Sequence, residues 1–380
     1  MRQRRTGWSA VGLLILVAIF VVIGLLRGGQ SGTNGTPTTG QTGTTSDWYQ
    51  LYFTDPHYPD DPANHHGGID THLVDLMNKA TKTIDVADYD FDLADVSTAM
   101  AQAEARGVQV RMVTDTDTYT STNKDVKAAF ATLKKANIPV VDDKREAIMH
   151  NKFTVVDGEW VSTGSWNYTD GDTYHLNNNM IVIHSTDLAA NYTNEFEKMF
   201  VQKDFGKAKN KSLPHPDLNI DGTVIQNCFA PEMDCTSEIV QTLSKATKSI
   251  DFMAFSFTDD SIGNTMIARS KNGVAVSGVF ETTGSQTQYS EYGPLKTAGL
   301  PVYTDGNPWT MHHKVIIIDD HIVIFGSFNF SQSANESNDE NLLIVDNANL
   351  AQAFTAEFQR VLTAAKNKPA NQPVINDGGG

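Results

Sequence analysis

The sequence predicts an α/β fold laid down twice behind an apolar N-terminal segment. Three observations carry that expectation: an internal repeat, an alternation of strand-like and helix-like runs within each copy, and one uncharged stretch near the N-terminus. Residues 79–85 read KATKTID and residues 245–251 read KATKSID, an offset of 166. Gly107-Val108 matches Gly273-Val274 at the same offset. Ile138-Pro139 then matches Leu300-Pro301 at an offset of 162, as MHNKFTVVDGEWVSTGSWNY (149–168) matches MHHKVIIIDDHIVIFGSFNF (311–330). Matches in this order, over about 100 residues, indicate a duplication with a small length change inside it.

Within each copy an amphipathic run (72–80; 237–246) precedes a strand-like run (83–87; 249–254). A second helical run (96–106; 262–271) stops at Arg-Gly or Asn-Gly. QVRMVTD and AVSGVFE then read as strands. Helices over 191–201 and 349–365 are expected to close the two copies. Residues 205–221, rich in Lys, Pro and Asn, read as the connector. The expected organisation is therefore a first half over 47–204, the connector, a second half over 222–366 and a flexible tail over 367–380.

The segment before the first half divides in two. Residues 8–26 are uncharged and mostly apolar. A helix of that length reaches about 28 Å, enough to cross a bilayer core. Arg2, Arg4 and Arg5 precede it and Arg27 follows, so residues 1–27 read as a transmembrane signal-anchor with a cytoplasmic tip. Cleavage would instead release a secreted body, but no A-x-A site follows. Residues 28–46, almost wholly Gly, Thr, Ser, Asn and Gln, read as a linker to an extracytoplasmic body. In that compartment Cys228 and Cys235, the only cysteines, are expected to pair as a disulfide. Past residue 27 the chain holds 45 acidic against 25 basic residues, a formal charge of −20, which disfavours a broad electrostatic grip on duplex nucleic acid.

The chemistry sits in the repeated hairpin. Residues i and i+2 of a strand share a face, so His150 points with Lys152 and His312 with Lys314, while His313 faces away. Counting back across a two-residue turn sets His150 opposite Ser165 and His312 opposite Ser327, with Asn167 and Asn329 on the same surface. Each copy then presents one His, Lys, Ser and Asn. Lysine excludes itself from a metal set and no carboxylate or thiolate joins it, so no metal or other cofactor is expected. An anion fits: Lys, Asn and Ser donate hydrogen bonds to oxyanions, and His serves as nucleophile or acid.

The spacings His150-x-Lys152-x4-Asp157-x6-Gly164-Ser165-x-Asn167 and His312-x-Lys314-x4-Asp319-x6-Gly326-Ser327-x-Asn329 resemble the paired HKD motifs of the phospholipase D superfamily. The resemblance covers residues 48–362. It implies two pseudo-twofold-related α/β/α sandwich halves with one active site at their interface, and metal-independent phosphodiester cleavage through a phosphohistidine. It implies catalytic roles for His150, His312, Lys152, Lys314, Asn167 and Asn329, with the serines joining them in stabilising the phosphoryl oxygens. Asp157 and Asp319, at the hairpin turns, read as structural.

An acidic residue often follows the family's motif and holds the histidine. Glu340 stands 28 residues after His312; Asn178 stands 28 after His150. The expectation is that Glu340 pairs with His312, making it the general acid, while His150, beside neutral Asn178, is the nucleophile. The expected substrate is a phospholipid headgroup ester, with transfer to alcohols as a side reaction. A nuclease acting on single-stranded or short nucleic acid is the alternative, and a catalytically silent phosphate-binding module the third. A monomer without an obligate protein partner is expected. The loops 115–125 and 281–292, carrying Tyr119, Tyr289 and Tyr292, are candidates for the substrate mouth, and Trp309 for its rim. His57, His65, His66 and His72, near Asp60 and Asp61, read as a polar loop rather than a metal site, their spacing matching no metal motif.

Overall fold

The computed structural model describes residues 43–375. The segment on which the anchor reading rests lies outside them. Among the described residues no helix is long and apolar enough to cross a membrane.

The duplication is visible strand by strand. The first half contains β1 (Gly43–Thr45), β2 (Tyr49–Phe53), β3 (Thr83–Asp88), β4 (Gln109–Thr114), β5 (Val140–Asp142), β6 (Lys152–Val156), β7 (Trp160–Gly164) and β8 (Asn179–His184). The second contains β9 (Leu218–Ile220), β10 (Thr223–Ala230), β11 (Ser249–Ala254), β12 (Ala275–Phe280), β13 (Val302–Thr304), β14 (Lys314–Ile318), β15 (Ile322–Gly326) and β16 (Glu340–Asp346). The sheet orders β1-β2-β8-β7-β6-β3-β4-β5 and β9-β10-β16-β15-β14-β11-β12-β13 are the same order twice. In each, β3-β4-β5 or β11-β12-β13 run parallel through helical crossovers, and the rest pair antiparallel.

Three apolar clusters build the layers. Helices Asp70–Lys79, Ala94–Ala105 and Lys124–Lys135 cover the outer face of the first sheet, burying Leu73, Met77, Val96, Met100 and Leu133 against Ile84, Val110 and Met112. Helices Cys235–Ser244 and Asp260–Lys271 do the same for the second, through Ile239, Leu243, Ile262 and Met266. The central cluster joins the inner faces of both sheets through the helices Thr186–Glu197 and Ala348–Lys366. Both sheets, covered on two sides, thus carry the near-continuous apolar strands that such burial demands. The helix expected over 191–201 starts earlier because Ser185 caps it, accepting from Leu188 N–H, and it runs on as a π-turn over Lys198–Gln202. Cys228, on β10, and Cys235, opening its helix, are joined by a disulfide.

The motif hairpins turn in three residues rather than two. Val156 faces Trp160 and Ile318 faces Ile322, which shifts the register by one from the count made in the sequence. Lys152, not Asn151, is therefore level with Gly164. Both strands end at that level, where Gly164 (φ +154°) and Gly326 (φ +152°) re-aim the chain toward Ser165 and Ser327. A Cβ at either glycine would stand 2.2 or 2.3 Å from the carbonyl oxygen of Asn179 or Asn341, so no other residue fits.

The motif aspartates build the turns. Asp157 accepts from the N–H groups of Thr81, Lys82 and Thr83, and Asp319 from those of Thr247, Lys248 and Ser249, at 2.7–3.2 Å. Burial alone would raise the Asp319 carboxyl, but these donors outweigh it and bring it down to about 2. Its folded value thus lies below its unfolded one, so its contribution to stability is complete above pH 4 or so and is lost as pH falls toward 2. Asp319→Asn should flatten the acid side of an unfolding-midpoint-versus-pH curve between about pH 4 and 2; an unchanged slope contradicts the assignment.

The connector is tied into the body by a buried lysine. Lys209 is fully buried, its ammonium 2.7 Å from Asp339 Oδ1 and 3.1 Å from Glu232 Oε2, and it also bonds Glu195. Lys198 bridges Glu195 (3.1 Å) and Glu232 (3.3 Å), and Arg145 reaches Asp339. This buried ion cluster ties connector, first half and second half together immediately behind Glu340.

Candidate active site

The two halves meet through a reciprocal backbone exchange. His150 N–H donates to Asp339 O (2.9 Å) and Asp339 N–H to Ile148 O (3.0 Å). His312 N–H donates to Asn177 O (3.0 Å) and Asn177 N–H to Thr310 O (3.1 Å). Each motif thus enters its strand already paired with the segment that follows the other motif. This crossing decides the histidine partners, and it overturns the pairing expected within each copy. His150 Nδ1 lies 2.9 Å from Glu340 Oε2, and His312 Nδ1 lies 2.9 Å from Asn178 Oδ1. The orienting residue comes from the opposite half.

His312 is nonetheless not without a carboxylate. Asp172 Oδ1, on the short helix Asp170–Tyr174, lies 3.3 Å from its Nδ1. The sequence reading missed Asp172. The signal was present: Asp172 aligns with Ala334 at the 162 offset, as Asn178 aligns with Glu340, so each half holds one carboxylate at a different one of two positions. Asp172 is held in place as an acceptor from Asn167 N–H (3.1 Å), Asn167 Nδ2 (3.2 Å), Asn178 Nδ2 (3.0 Å) and Thr169 Oγ1 (3.1 Å).

The serines do not face the phosphoryl position. Ser165 donates to Asn178 Oδ1 (2.8 Å) and Ser327 to Glu340 Oε2 (2.5 Å). A hydroxyl has one hydrogen to give, so their role is to aim the orienting residues rather than to bind oxyanions. The lysines remain available. Lys152 Nζ donates to His150 O (3.0 Å) and Lys314 Nζ to His312 O (2.9 Å), which leaves hydrogens on both ammoniums. They lie over the rings of Tyr89 (5.0 Å) and Phe255 (4.7 Å), which also touch His150 and His312 edge-to-face.

His150, His312, Lys152, Lys314 and Asn167 are fully buried, and Asn329 nearly so. Yet the Nε2 atoms of both histidines and the side-chain oxygens of Asn167 and Asn329 have no hydrogen-bond partner. Buried polar atoms are normally paired, so this group is arranged for something that enters. Its electrostatics ask for an anion. Burial depresses both lysines, Lys314 further through repulsion from Lys152. Burial and the two ammoniums hold His150 well below its ordinary value, and burial with Lys314 brings His312 to about 3 against the pull of Asp172. Glu340 is pushed up by burial to about 8, against Lys152 and Lys314.

Outside this group, His313 faces away, as strand parity requires. It is buried between Glu357 (Nε2 to Oε1, 3.0 Å) and the Asn179 amide (2.9 Å to Nδ1). Its counterpart Asn151 accepts from Asn341 Nδ2 (3.1 Å). Both positions brace the seam. Trp309 is buried rather than on an open rim, stacked on His175 at 4.6 Å. Tyr119 and Tyr289 are exposed; Tyr292 is half-buried and accepts from Lys296 Nζ (2.9 Å).

Asp172→Asn keeps the shape and removes the charge beside His312. Without that carboxylate His312 holds its proton less well, which should slow cleavage of alkyl phosphodiesters about tenfold. A 4-nitrophenyl diester, whose leaving group needs no proton, should release its first nitrophenol almost unimpaired. Equal losses on both substrates would reduce Asp172 to a structural part.

Comparisons with known proteins bear on the family and the fold. A family model described as "Cardiolipin synthase, PLD-like domain" matches residues 73–200 and again residues 239–362. A Phospholipase D of Rickettsia prowazekii is 35% identical over 164 residues, 41% of this chain and 80% of that protein. A Mitochondrial cardiolipin hydrolase of Xenopus tropicalis is 30% identical over 136 residues, 36% of this chain and 65% of that protein. The crystal structure of a phosphatidylserine synthase from Haemophilus influenzae superimposes with a TM-score of 0.60 at 13% identity, covering 87% of this chain and 88% of that one, a likeness of fold. With both halves matched, the chain belongs to the phospholipase D-like family of phosphodiesterases.

Proposed function

We propose that the protein hydrolyses phospholipid headgroup esters through a phosphohistidine on His150. The single observation that carries this is the pair of buried, unpartnered imidazole Nε2 atoms beside two buried lysines. A phosphodiester anion placed there offsets the lysine charges, raises His312 and supplies what the site lacks.

His150 keeps the nucleophile's role for a reason different from the one read in the sequence. When its Nε2 bonds phosphorus, the imidazole becomes cationic, and that cation lowers the Glu340 carboxyl, 2.9 Å from Nδ1, so that it ionises and stabilises the charge. A general acid should surrender its proton readily, which favours His312, held by an amide at 2.9 Å and a carboxylate only at 3.3 Å. The N–P bond forms as the P–O bond to the alcohol breaks, and the proton on His312 Nε2 passes to the departing oxygen. Water then attacks phosphorus, His312 takes its proton, and the P–N bond breaks to free His150. Lys152 and Lys314 through their ammoniums, and Asn167 and Asn329 through amide N–H, bind the phosphoryl oxygens throughout. An alcohol in place of water gives transfer.

The apolar run at residues 8–26 supports anchoring by the N-terminus, with the body outside the cytoplasm near a lipid surface. The acidic body also favours lipid over long nucleic acid. The test is the full chain in detergent, assayed with and without EDTA on mixed phospholipids and on single- and double-stranded DNA and RNA. Headgroup release that persists in EDTA is expected. Nucleic-acid cutting without lipid turnover would replace the lipid by a nucleic-acid substrate, and silence on every diester would leave only a phosphate-binding role.

A further inference from the structure

We propose that Asp60, His65 and His175 form a binding site for one zinc ion, beside the catalytic centre and separate from it. The polar loop around residue 60 carries no metal motif by itself. The fold completes one by bringing His175 to it from beyond the first motif. His65 Nε2 lies 2.8 Å and His175 Nε2 3.3 Å from the same oxygen, Asp60 Oδ1, and the three atoms all lie within 4.8 Å of one another. Donor atoms around a tetrahedral ion with bonds of about 2.0–2.1 Å stand about 3.3–3.4 Å apart. Asp60 Oδ1 already stands within about half an ångström of that spacing from each imidazole nitrogen, and the donors, within 4.8 Å of one another, close around an ion by drawing together, with Asp60, about a third exposed at 31%, on the side open to a water ligand.

The surroundings are those of a built site. Asp61 caps the short turn Pro62–Asn64, accepting from Ala63 N–H, and so brings the chain back to set His65 against Asp60. The His65 ring stacks on Tyr174 at 4.4 Å and the His175 ring on Trp309 at 4.6 Å, which fixes both ring planes. Asp170 Oδ2 lies 2.9 Å from His65 Nδ1, the carboxylate–histidine arrangement that orients metal ligands. A neutral imidazole has one N–H, yet His65 meets a carboxylate at each nitrogen. A cation on Nε2 satisfies Asp60 while Nδ1–H serves Asp170. Two imidazoles and one carboxylate suit zinc; magnesium and calcium prefer oxygen donors throughout.

The consequence is mechanical. His175 stands between Asp172 and Asn178, the two residues that hold His312 Nδ1, and its carbonyl accepts from Asn307 Nδ2 (2.9 Å) of the second half. An ion here pins the loop around residue 60 to the turn that supports His312. It takes no part in phosphoryl transfer, so the proposal stands apart from the substrate reading.

The experiment uses tag-free full chain in detergent, stripped with chelator, desalted and checked by circular dichroism. Titration with Zn²⁺ alone should show one equivalent bound, and Co²⁺ should give the intense visible bands of a tetrahedral site. His65→Ala and His175→Ala should each weaken binding at least about 100-fold, Asp170→Asn about 10–100-fold, and His66→Ala not at all. Zn²⁺ should raise the unfolding midpoint of the wild type and leave that of His65→Ala unmoved. Failure of the folded, stripped chain to bind a stoichiometric ion, or binding that survives both histidine substitutions, would overturn the site.

Discussion

His312→Ala should lose about 10³-fold or more of its turnover on phospholipids, yet still release one 4-nitrophenol per chain from bis(4-nitrophenyl) phosphate. The two substrates separate the two duties of His312. An alkoxide leaving group needs the proton from its Nε2; 4-nitrophenolate does not. The first step on the aryl diester therefore proceeds by attack of His150 alone. The second step still needs His312 to draw a proton from water, so the phosphoenzyme accumulates and the burst stops at one equivalent. His150→Ala has no nucleophile and should show neither burst nor turnover on either substrate. The reverse result, a burst in His150→Ala and none in His312→Ala, would exchange the roles. His313→Asn, by contrast, should keep most activity, because its side chain bonds Glu357 and Asn179 away from the phosphoryl position.

Lys209→Met should destabilise the chain by about 3–5 kcal/mol, the usual cost of removing one partner from a buried ion group. Methionine fills similar space, so the loss is of charge rather than of packing. Asp339, Glu195 and Glu232 all point at the missing ammonium, and with Lys198 and Arg145 alone these buried carboxylates lose part of their compensation. Asp339 carries the carbonyl that receives His150 N–H and directly precedes Glu340, so activity should fall before the chain unfolds. Denaturant unfolding of Lys209→Met measures the first effect and an assay in the folded baseline the second. A change under about 1 kcal/mol would show that the cluster is solvated and contradict its place in the seam.

The repeat made much of the fold legible. Because residues 79–168 recur at 245–330, the elements of one half predicted those of the other, and the HKD spacing put His, Lys and Asn in one group. What sequence could not supply was the crossing of the halves. Asn178 and Glu340 follow their own motifs in the chain, and only the paired backbones of Asp339 with Ile148 and of Asn177 with Thr310 bring each to the opposite histidine. The register missed by one because Asp157-Gly158 looks like a two-residue turn, while Asp157 in fact anchors a three-residue loop onto Thr81–Thr83. Lys209 lies in a stretch legible only as a connector; burial of its ammonium depends on acids from three distant segments. Asp172 was readable in principle, since the duplicated halves place their carboxylates at non-equivalent positions, 172 in one and 340 in the other.

The geometry points to one active site at the seam, with His150 as nucleophile, held by Glu340 from the other half. Its most direct test is to quench the full chain in alkali during turnover of a phosphodiester, where phosphohistidine survives, and to map the bound phosphoryl group by peptide mass spectrometry. The group is expected on His150, with a reduced yield in Glu340→Gln. A phosphoryl group on His312 would contradict it.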